Sequence, residues 1–206
     1  MNKKNLKVLG ITGGVGAGKS TILDYIQKMY HARVIQADLV GHMVQEPGSP
    51  CYYRIVETFG TGILNGDRTI ARGKLAAAVF DDYEKLQKLN RIVHPAVKEY
   101  IISEIASERE RGQVPFVVIE AALLLEDHYD AICDEIWYVY ADEKTRTERL
   151  MRTRGYSEEK ARRIMSNQMK ESGYRARCEF VIDNSGNIVE NTYDQIDKGL
   201  IEHGFL

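Results

Sequence analysis

Residues 7–21 read Lys-Val-Leu-Gly-Ile-Thr-Gly-Gly-Val-Gly-Ala-Gly-Lys-Ser-Thr, and the architecture of the chain follows from them. Val8-Leu9-Gly10-Ile11 is a short apolar run, Gly13–Ser20 fit GxxxxGK[ST], and Ile22, Leu23, Ile26 and Met29 recur behind them at helical spacing. A strand, a glycine-rich turn and an amphipathic helix in that order form the context a phosphate loop needs. Glycines at 13, 14, 16 and 18 let the backbone turn its N–H groups inward, where side chains would obstruct them. The positive end of the following helix adds to the pull on phosphate. The motif assigns Gly14, Gly16, Ala17, Gly18, Lys19, Ser20 and Thr21 to a nucleotide. Lys19 reaches the β- and γ-phosphates, and the Ser20 hydroxyl is the expected Mg²⁺ ligand. A glycine-rich turn with a chance Lys-Ser is the bland alternative.

Further strands are expected at Arg33–Gln36, Phe116–Glu120, Glu135–Tyr140 and Glu179–Ile182, after a first at Lys7–Ile11. Helical patterns occupy 19–30, 143–153, 157–171 and 188–203, with Ser157 as an N-cap ahead of Glu158 and Glu159. Such alternation specifies βαβ units and a parallel sheet. Phe116-Val117-Val118-Ile119 is apolar on successive residues, which suits a central strand covered on both faces. The expected fold is therefore α/β, a parallel five-stranded sheet of the P-loop NTPase type flanked by helices. One domain is expected over 1–206, with its core at about 1–50, 112–145 and 172–206. A helical acceptor-binding insertion at about 51–111 leans over the carboxyl ends of the strands, and a short lid spans about 146–171.

Users of ATP and GTP share the loop. Asp38-Leu39-Val40-Gly41 fits the DxxG of a GTPase by letter but follows the loop too soon, and no Asn-Lys-x-Asp guanine reader occurs. Arg146, Arg149, Arg152, Arg154, Lys160, Arg162 and Arg163 form a basic cluster interleaved with acids, most of it a solvated helical face. Arg149–Gly155 stands apart, because its arginines run into a glycine between two helices. A mobile, arginine-bearing connection there would close as a lid and bring guanidinium groups to the transferring phosphate. Asp38 follows the strand run Val34-Ile35 and is placed to orient a hydroxyl and take its proton. Capping a helix is its plainer role, and the two can coexist.

The residues resemble the dephospho-CoA kinase family over nearly the whole length of the chain. The resemblance runs through Gly10–Thr21, Ala37-Asp38 and Glu46-Pro47-Gly48-Ser49-Pro50, then Phe59-Gly60, Arg72, Leu75, Phe80, Leu89-Asn90 and His94-Pro95. It continues at Leu123–Glu126, Arg149-Leu150, Ser166–Gln168 and Phe180–Asn184. It implies ATP-dependent phosphorylation of the ribose 3′-hydroxyl of dephospho-CoA, giving coenzyme A and ADP. Asp38 would be the catalytic base or hydroxyl-orienting group. Arg149 and Arg154 would contact phosphates from the lid, Asn184 would lie near adenine, and Thr12, His94 and Leu123 would line the acceptor side. The chain departs from the common pattern at Gln36, Ala122 and Arg146, where the family often carries aspartate, proline and glutamine.

Composition narrows the alternatives. The 206 residues carry a net charge of −2, so no global basic field attracts nucleic acid or an acidic membrane. No stretch approaches the roughly 18 apolar residues of a membrane span. The Lys-rich start has too short and too glycine-broken an apolar run for a signal peptide. Cys51, Cys133 and Cys178 make neither a CxxC pair nor a metal-binding cluster, and read as reduced thiols. A cytoplasmic monomer or weak homo-oligomer with a small-molecule substrate is expected. Two other readings stay open: another small-molecule, nucleoside or nucleotide kinase, and a non-catalytic nucleotide-binding scaffold.

Overall fold

The computed structural model describes residues 6–186 and 188–206. Within them the chain forms two compact units, one containing residues up to Ile35 together with Glu108–Leu206, the other Gln36–Ser107. The strands are β1 (Lys7–Thr12), β2 (Arg33–Gln36), β3 (Phe116–Glu120), β4 (Glu135–Tyr140) and β5 (Phe180–Asp183). The helices are α1 (Lys19–Tyr30), α2 (Ala37–Met43), α3 (Pro50–Phe59), α4 (Arg72–Val79), α5 (Tyr83–Arg111), α6 (Glu143–Arg154), α7 (Glu158–Ser166), α8 (Glu171–Arg175) and α9 (Val189–Glu202).

The strands of the first unit lie in the order β2-β3-β1-β4-β5. β1 runs parallel to β3, with Leu9 opposite Val118, and parallel to β4, with Ile11 opposite Trp137. β4 runs parallel to β5, with Val139 opposite Ile182. Every residue of β3 is buried, as its unbroken apolar run requires. The order also fixes where a ligand can sit. From β1 the chain crosses through α1 to β2 on one side, and from β3 it returns past β1 to β4 on the other. The carboxyl end of β1 is therefore the point at which the order reverses, and a crevice opens there in sheets of this kind.

One apolar core holds α1 and α9 against the sheet through Leu9, Ile11, Ile22, Ile26, Phe116, Trp137, Ile182, Ile196 and Leu200. A polar knot fixes the far half of α1. The Tyr25 and Tyr30 hydroxyls both donate to the Asp197 carboxylate of α9 (2.8 and 2.6 Å to Oδ1), and Tyr25 stacks on Tyr193 with ring centroids 3.8 Å apart. Burial, then the bond to Asp197 and its charge, pushes the Tyr25 hydroxyl up to about 12 and raises that of Tyr30 as well. Both rings therefore remain donors throughout the neutral range.

The helical pattern expected over 157–171 is broken in the structure. Ser157 caps α7 by accepting from the Lys160 N–H (3.2 Å), but α7 ends at Ser166 and α8 begins only at Glu171. At the break the Ser166 hydroxyl donates to the Arg163 carbonyl (2.9 Å) and the Gln168 N–H to the Met165 carbonyl (3.1 Å). Local bonds of this kind compete with helix propagation.

The second unit has a core of its own, built from Cys51, Ile55, Ile63, Leu75 and Ile92. Ser49 starts α3 by accepting from the Tyr52 N–H (2.9 Å), with Pro50 at the first helical position. Pro95 lies inside α5, where it removes one intrahelical hydrogen bond beside His94.

The packing of α9 on the sheet gives a stability test. A Cβ at Gly199 would stand 2.9 Å from ring atoms of both Phe180 and Trp137. Gly199→Ala gains about 1 kcal/mol of helix propensity, but overpacking two rigid rings costs about 1–3 kcal/mol. The cost should prevail and lower Tm by roughly 2–8 °C in circular dichroism melts. A Tm equal to or above that of the parent would mean that α9 is free to move off the rings.

Candidate active site

Between Thr12, the last residue of β1, and Lys19, the first of α1, the chain makes the glycine-rich turn. Gly18 occupies the N-cap position of α1 in the left-handed region (φ 93°), no side chain caps the helix, and its first turn holds no acid. The leading N–H groups and the positive helix end thus lack the side-chain partners that ordinarily satisfy them. The Lys19 ammonium lies over the turn, donating to the Gly13 carbonyl (2.8 Å) and standing 3.6 Å from Glu120 Oε1 at the end of β3. The side chains of Lys19 and Glu120 are only 14% and 9% exposed. A cation and an uncapped helix end therefore meet at the carboxyl end of β1, an arrangement suited to an anion.

The outer wall of the turn is built from distant parts of the chain. The Ala17 carbonyl accepts from Asn184 Nδ2 (2.7 Å) and from Arg149 Nη1 (3.2 Å). Asn184 is buried, and its Oδ1 accepts from the Thr192 hydroxyl (3.0 Å). Arg149 Nη2 also donates to the Asn184 carbonyl (2.9 Å). Burial, then repulsion from Arg152, depresses the proton affinity of the Arg149 guanidinium. A Cβ at Gly18 would lie 2.3 Å from Asn184 Nδ2, and one at Gly14 would lie 2.3 Å from Arg146 Nη2. At these positions glycine admits the close approach of a bracing side chain.

Other expected site residues lie as follows. Thr12 is fully buried, and its Oγ1 has no hydrogen-bond partner among the described residues. Gly16 takes a left-handed φ of 79°, and Ser20 and Thr21 are exposed on the first turn of α1. Leu123 is 51% exposed in the turns after β3. Arg154 is the exposed last residue of α6.

Arg149 is not part of a mobile connection. It lies within α6, whose N-terminus is capped by Asp142 accepting from the Thr145 N–H (2.8 Å) and whose Thr147 and Leu150 are buried. Only Gly155–Ser157 separates α6 from α7, because Gly155 takes the left-handed φ of 63° that ends the helix. Asp38 and His94 belong to the second unit. Asp38 is exposed and is not a helix cap: β2 runs to Gln36 and α2 starts at Ala37, so the cap position falls on Gln36. His94 is half-buried on α5.

Among the described residues no group of three or more histidine, cysteine or acidic side chains could hold a metal. One serine hydroxyl on the loop suits magnesium, which keeps much of its water and is bound largely through substrate phosphates. Sequence reasoning passed over Thr192 and Gln168 as functional, and assigned Arg146 to the solvated face. Asn184 was noticed, but its hold on the Ala17 carbonyl was not.

Comparison with known proteins points in one direction. A family model described as dephospho-CoA kinase matches residues 7–190. The dephospho-CoA kinase of Shouchella clausii is 37% identical over 192 residues, covering 93% of this chain and 96% of that one. That of Carboxydothermus hydrogenoformans is 38% identical over 191 residues, covering 93% and 91%. Among solved structures, TT1252 from Thermus thermophilus superimposes with a TM-score of 0.81 at 26% identity, covering 97% of this chain and 98% of that one. Dephospho-CoA kinase from Campylobacter jejuni shares the fold, with a TM-score of 0.71 at 19% identity and coverage of 97% and 98%.

The bracing of Ala17 can be tested at one atom. Asn184→Asp keeps an acceptor for Thr192 but turns a carboxylate oxygen, in place of an N–H, toward the Ala17 carbonyl. A buried acceptor left facing an acceptor costs about 1–3 kcal/mol. Tm should fall, and affinity for ATP measured by calorimetry should drop about tenfold. Unchanged affinity would show that the loop holds its shape without Asn184.

Proposed function

The chain belongs to the dephospho-CoA kinase family, and on that premise we propose that it transfers the terminal phosphate of ATP to the ribose 3′-hydroxyl of dephospho-CoA, releasing coenzyme A and ADP. The observation that carries this reading is the phosphate loop itself: Lys19 folded over an uncapped helix end, inside a chain matched over residues 7–190.

Phosphoryl transfer through a loose transition state leaves the protein little covalent chemistry; positioning and charge do most of the catalysis. The backbone from Gly14 to Gly18, with Lys19, Ser20 and Thr21, cradles the phosphates in this reading. Lys19 exchanges the Gly13 carbonyl for β- and γ-phosphate oxygens. Arg149 now donates only to neutral carbonyls, and a desolvated guanidinium in that setting gains from an anionic partner. It offers a planar fork to a phosphate, and Arg154 adds charge from the end of α6. Asn184 holds the loop on the side we assign to adenine. Ser20, with the nucleotide's phosphates, would hold Mg²⁺, which neutralises charge on the transferring group when bound.

We assign the acceptor to Asp38, Thr12, His94 and Leu123, with Asp38 orienting the 3′-hydroxyl and accepting its proton late in the transfer. Remote binding energy from the pantetheine arm and diphosphate would hold that hydroxyl in line. Both substrates in this reading are small soluble metabolites, so we assign the enzyme to the cytoplasm, as a monomer or weak homo-oligomer.

Coupled measurement of ADP release tests the assignment. Release should rise strongly on adding dephospho-CoA, with kcat/KM at least about a hundredfold above that for AMP or adenosine. Comparable values for the three acceptors would move the chain to the nucleoside or nucleotide kinases, and no stimulation by any of them would favour a scaffold. Asp38→Asn separates chemistry from stability. An acid in the first turn of α2 contributes about 0.3–1 kcal/mol through the helix dipole, so Tm should hardly move. The asparagine cannot accept a proton at neutral pH, and kcat should fall about a hundredfold with ATP affinity preserved. Near-normal turnover would leave Asp38 as a first-turn acid and nothing more.

A further inference from the structure

We propose that Arg146 and Gln168 are positioning residues for phosphate transfer, gripping both backbone polar groups of Val15 and so presetting the phosphate loop. Arg146 Nε donates to the Val15 carbonyl (2.9 Å), and Arg146 Nη2 donates to Gln168 Oε1 (2.7 Å). The same Gln168 oxygen accepts from the Val15 N–H (2.9 Å). Both backbone polar groups of one residue in the glycine-rich turn are thus taken by side chains that also bond to each other. The guanidinium lies against the Gly14 backbone, where a Cβ would stand 2.3–2.9 Å from three of its atoms. This reading rests on the kinase assignment but uses neither the acceptor nor the residues assigned to it.

The reason for such a clamp is entropic. A turn carrying glycines at 13, 14, 16 and 18 is the segment of this chain with most backbone freedom to lose. Ordering each residue costs about 1–2 kcal/mol, and without a clamp that cost would fall on nucleotide binding. The break between α7 and α8 serves the same end. It places Gln168 in a turn held by its N–H to Met165, from which the side chain reaches Val15. A continuous helix over 157–171 would not contain that turn. Arg146 lies on α6, one helical turn before Arg149, so a single helix face supplies both the clamp on Val15 and a donor to Ala17. Arg146 and Gln168 are both half-exposed, so their removal subtracts little from the global core.

Four variants test this with two readouts: calorimetric binding of a non-hydrolysable ATP analogue, and steady-state kinetics with ATP and dephospho-CoA. Gln168→Met keeps the volume but removes the shared acceptor, and Arg146→Ala removes both donors. Each should weaken analogue binding about tenfold, raise KM for ATP, leave KM for dephospho-CoA unchanged and shift Tm little. Because both act on the backbone of one residue and brace each other, the double variant should lose about as much as either alone. Gln168→Glu retains an acceptor for both donors and should recover binding to within about threefold of wild type. Arg163→Ala, on the exposed face of α7, serves as the control. The proposal fails if Gln168→Met binds the analogue like wild type, if the glutamate and methionine variants are equally impaired, or if the single losses simply add. A wild-type protein that does not phosphorylate dephospho-CoA, yet shows the binding pattern just described, would overturn the kinase assignment and leave the clamp standing.

Discussion

The uncapped beginning of α1 is the constraint around which the first unit is organised. A helix normally satisfies its leading N–H groups with a serine, threonine, aspartate or asparagine side chain, at a gain of about 1 kcal/mol. Here that position is Gly18, in the left-handed region. The forgone cap leaves a positive helix end open to a phosphate, and the turn before it has few local bonds: the Ala17 N–H donates to the Gly14 carbonyl and Lys19 to that of Gly13. The rest of what holds it comes from elsewhere: Asn184 and Arg149 on the Ala17 carbonyl, Arg146 and Gln168 on the Val15 backbone. Tyr25 and Tyr30 tie the other half of α1 to Asp197.

The sequence alone shows the glycines, and phosphate approach is the natural explanation for them. The structure adds a second one. Gly14 and Gly18 face side chains on the outside of the turn that would collide with any Cβ. A residue that met only the need for phosphate approach could still ruin the loop, because displacing Arg146 or Asn184 would release a carbonyl as well as crowd a side chain.

Features encoded over a few residues were legible before any coordinates. β2, β3 and β4 lie on the expected residues, as does α1, because apolar runs and helical periodicity are local signals. The Ser157 cap was legible for the same reason. Features settled by distant partners were not. The helical pattern over 143–153 already carried α6 through Arg149; what it could not show is that the guanidinium is held by the carbonyls of Ala17 and Asn184, both distant in sequence. Asp38 looked like a cap because aspartate is a preferred capping residue, but strand and helix abut and the cap position falls on Gln36. Gln168 looked like part of a helix because its partner, Val15, is far away in the sequence.

The two grips on the loop differ in a way that bears on turnover. The Ala17 carbonyl has two donors, so in the proposed reading Arg149 leaves it for a phosphate while Asn184 keeps hold. The exchange asks little: a guanidinium gives up a neutral carbonyl and gains an anion whose geometry fits its fork. The Val15 backbone has no such redundancy. Its N–H has Gln168 and its carbonyl has Arg146, and each of those side chains is braced by the other. Were Arg146 to swing toward the nucleotide as well, Val15 would lose its carbonyl partner and Gln168 the donor that orients it. Of two arginines one turn apart on the same helix, the one backed by a second donor is the one that can move. The other can serve the reaction only by staying where it is.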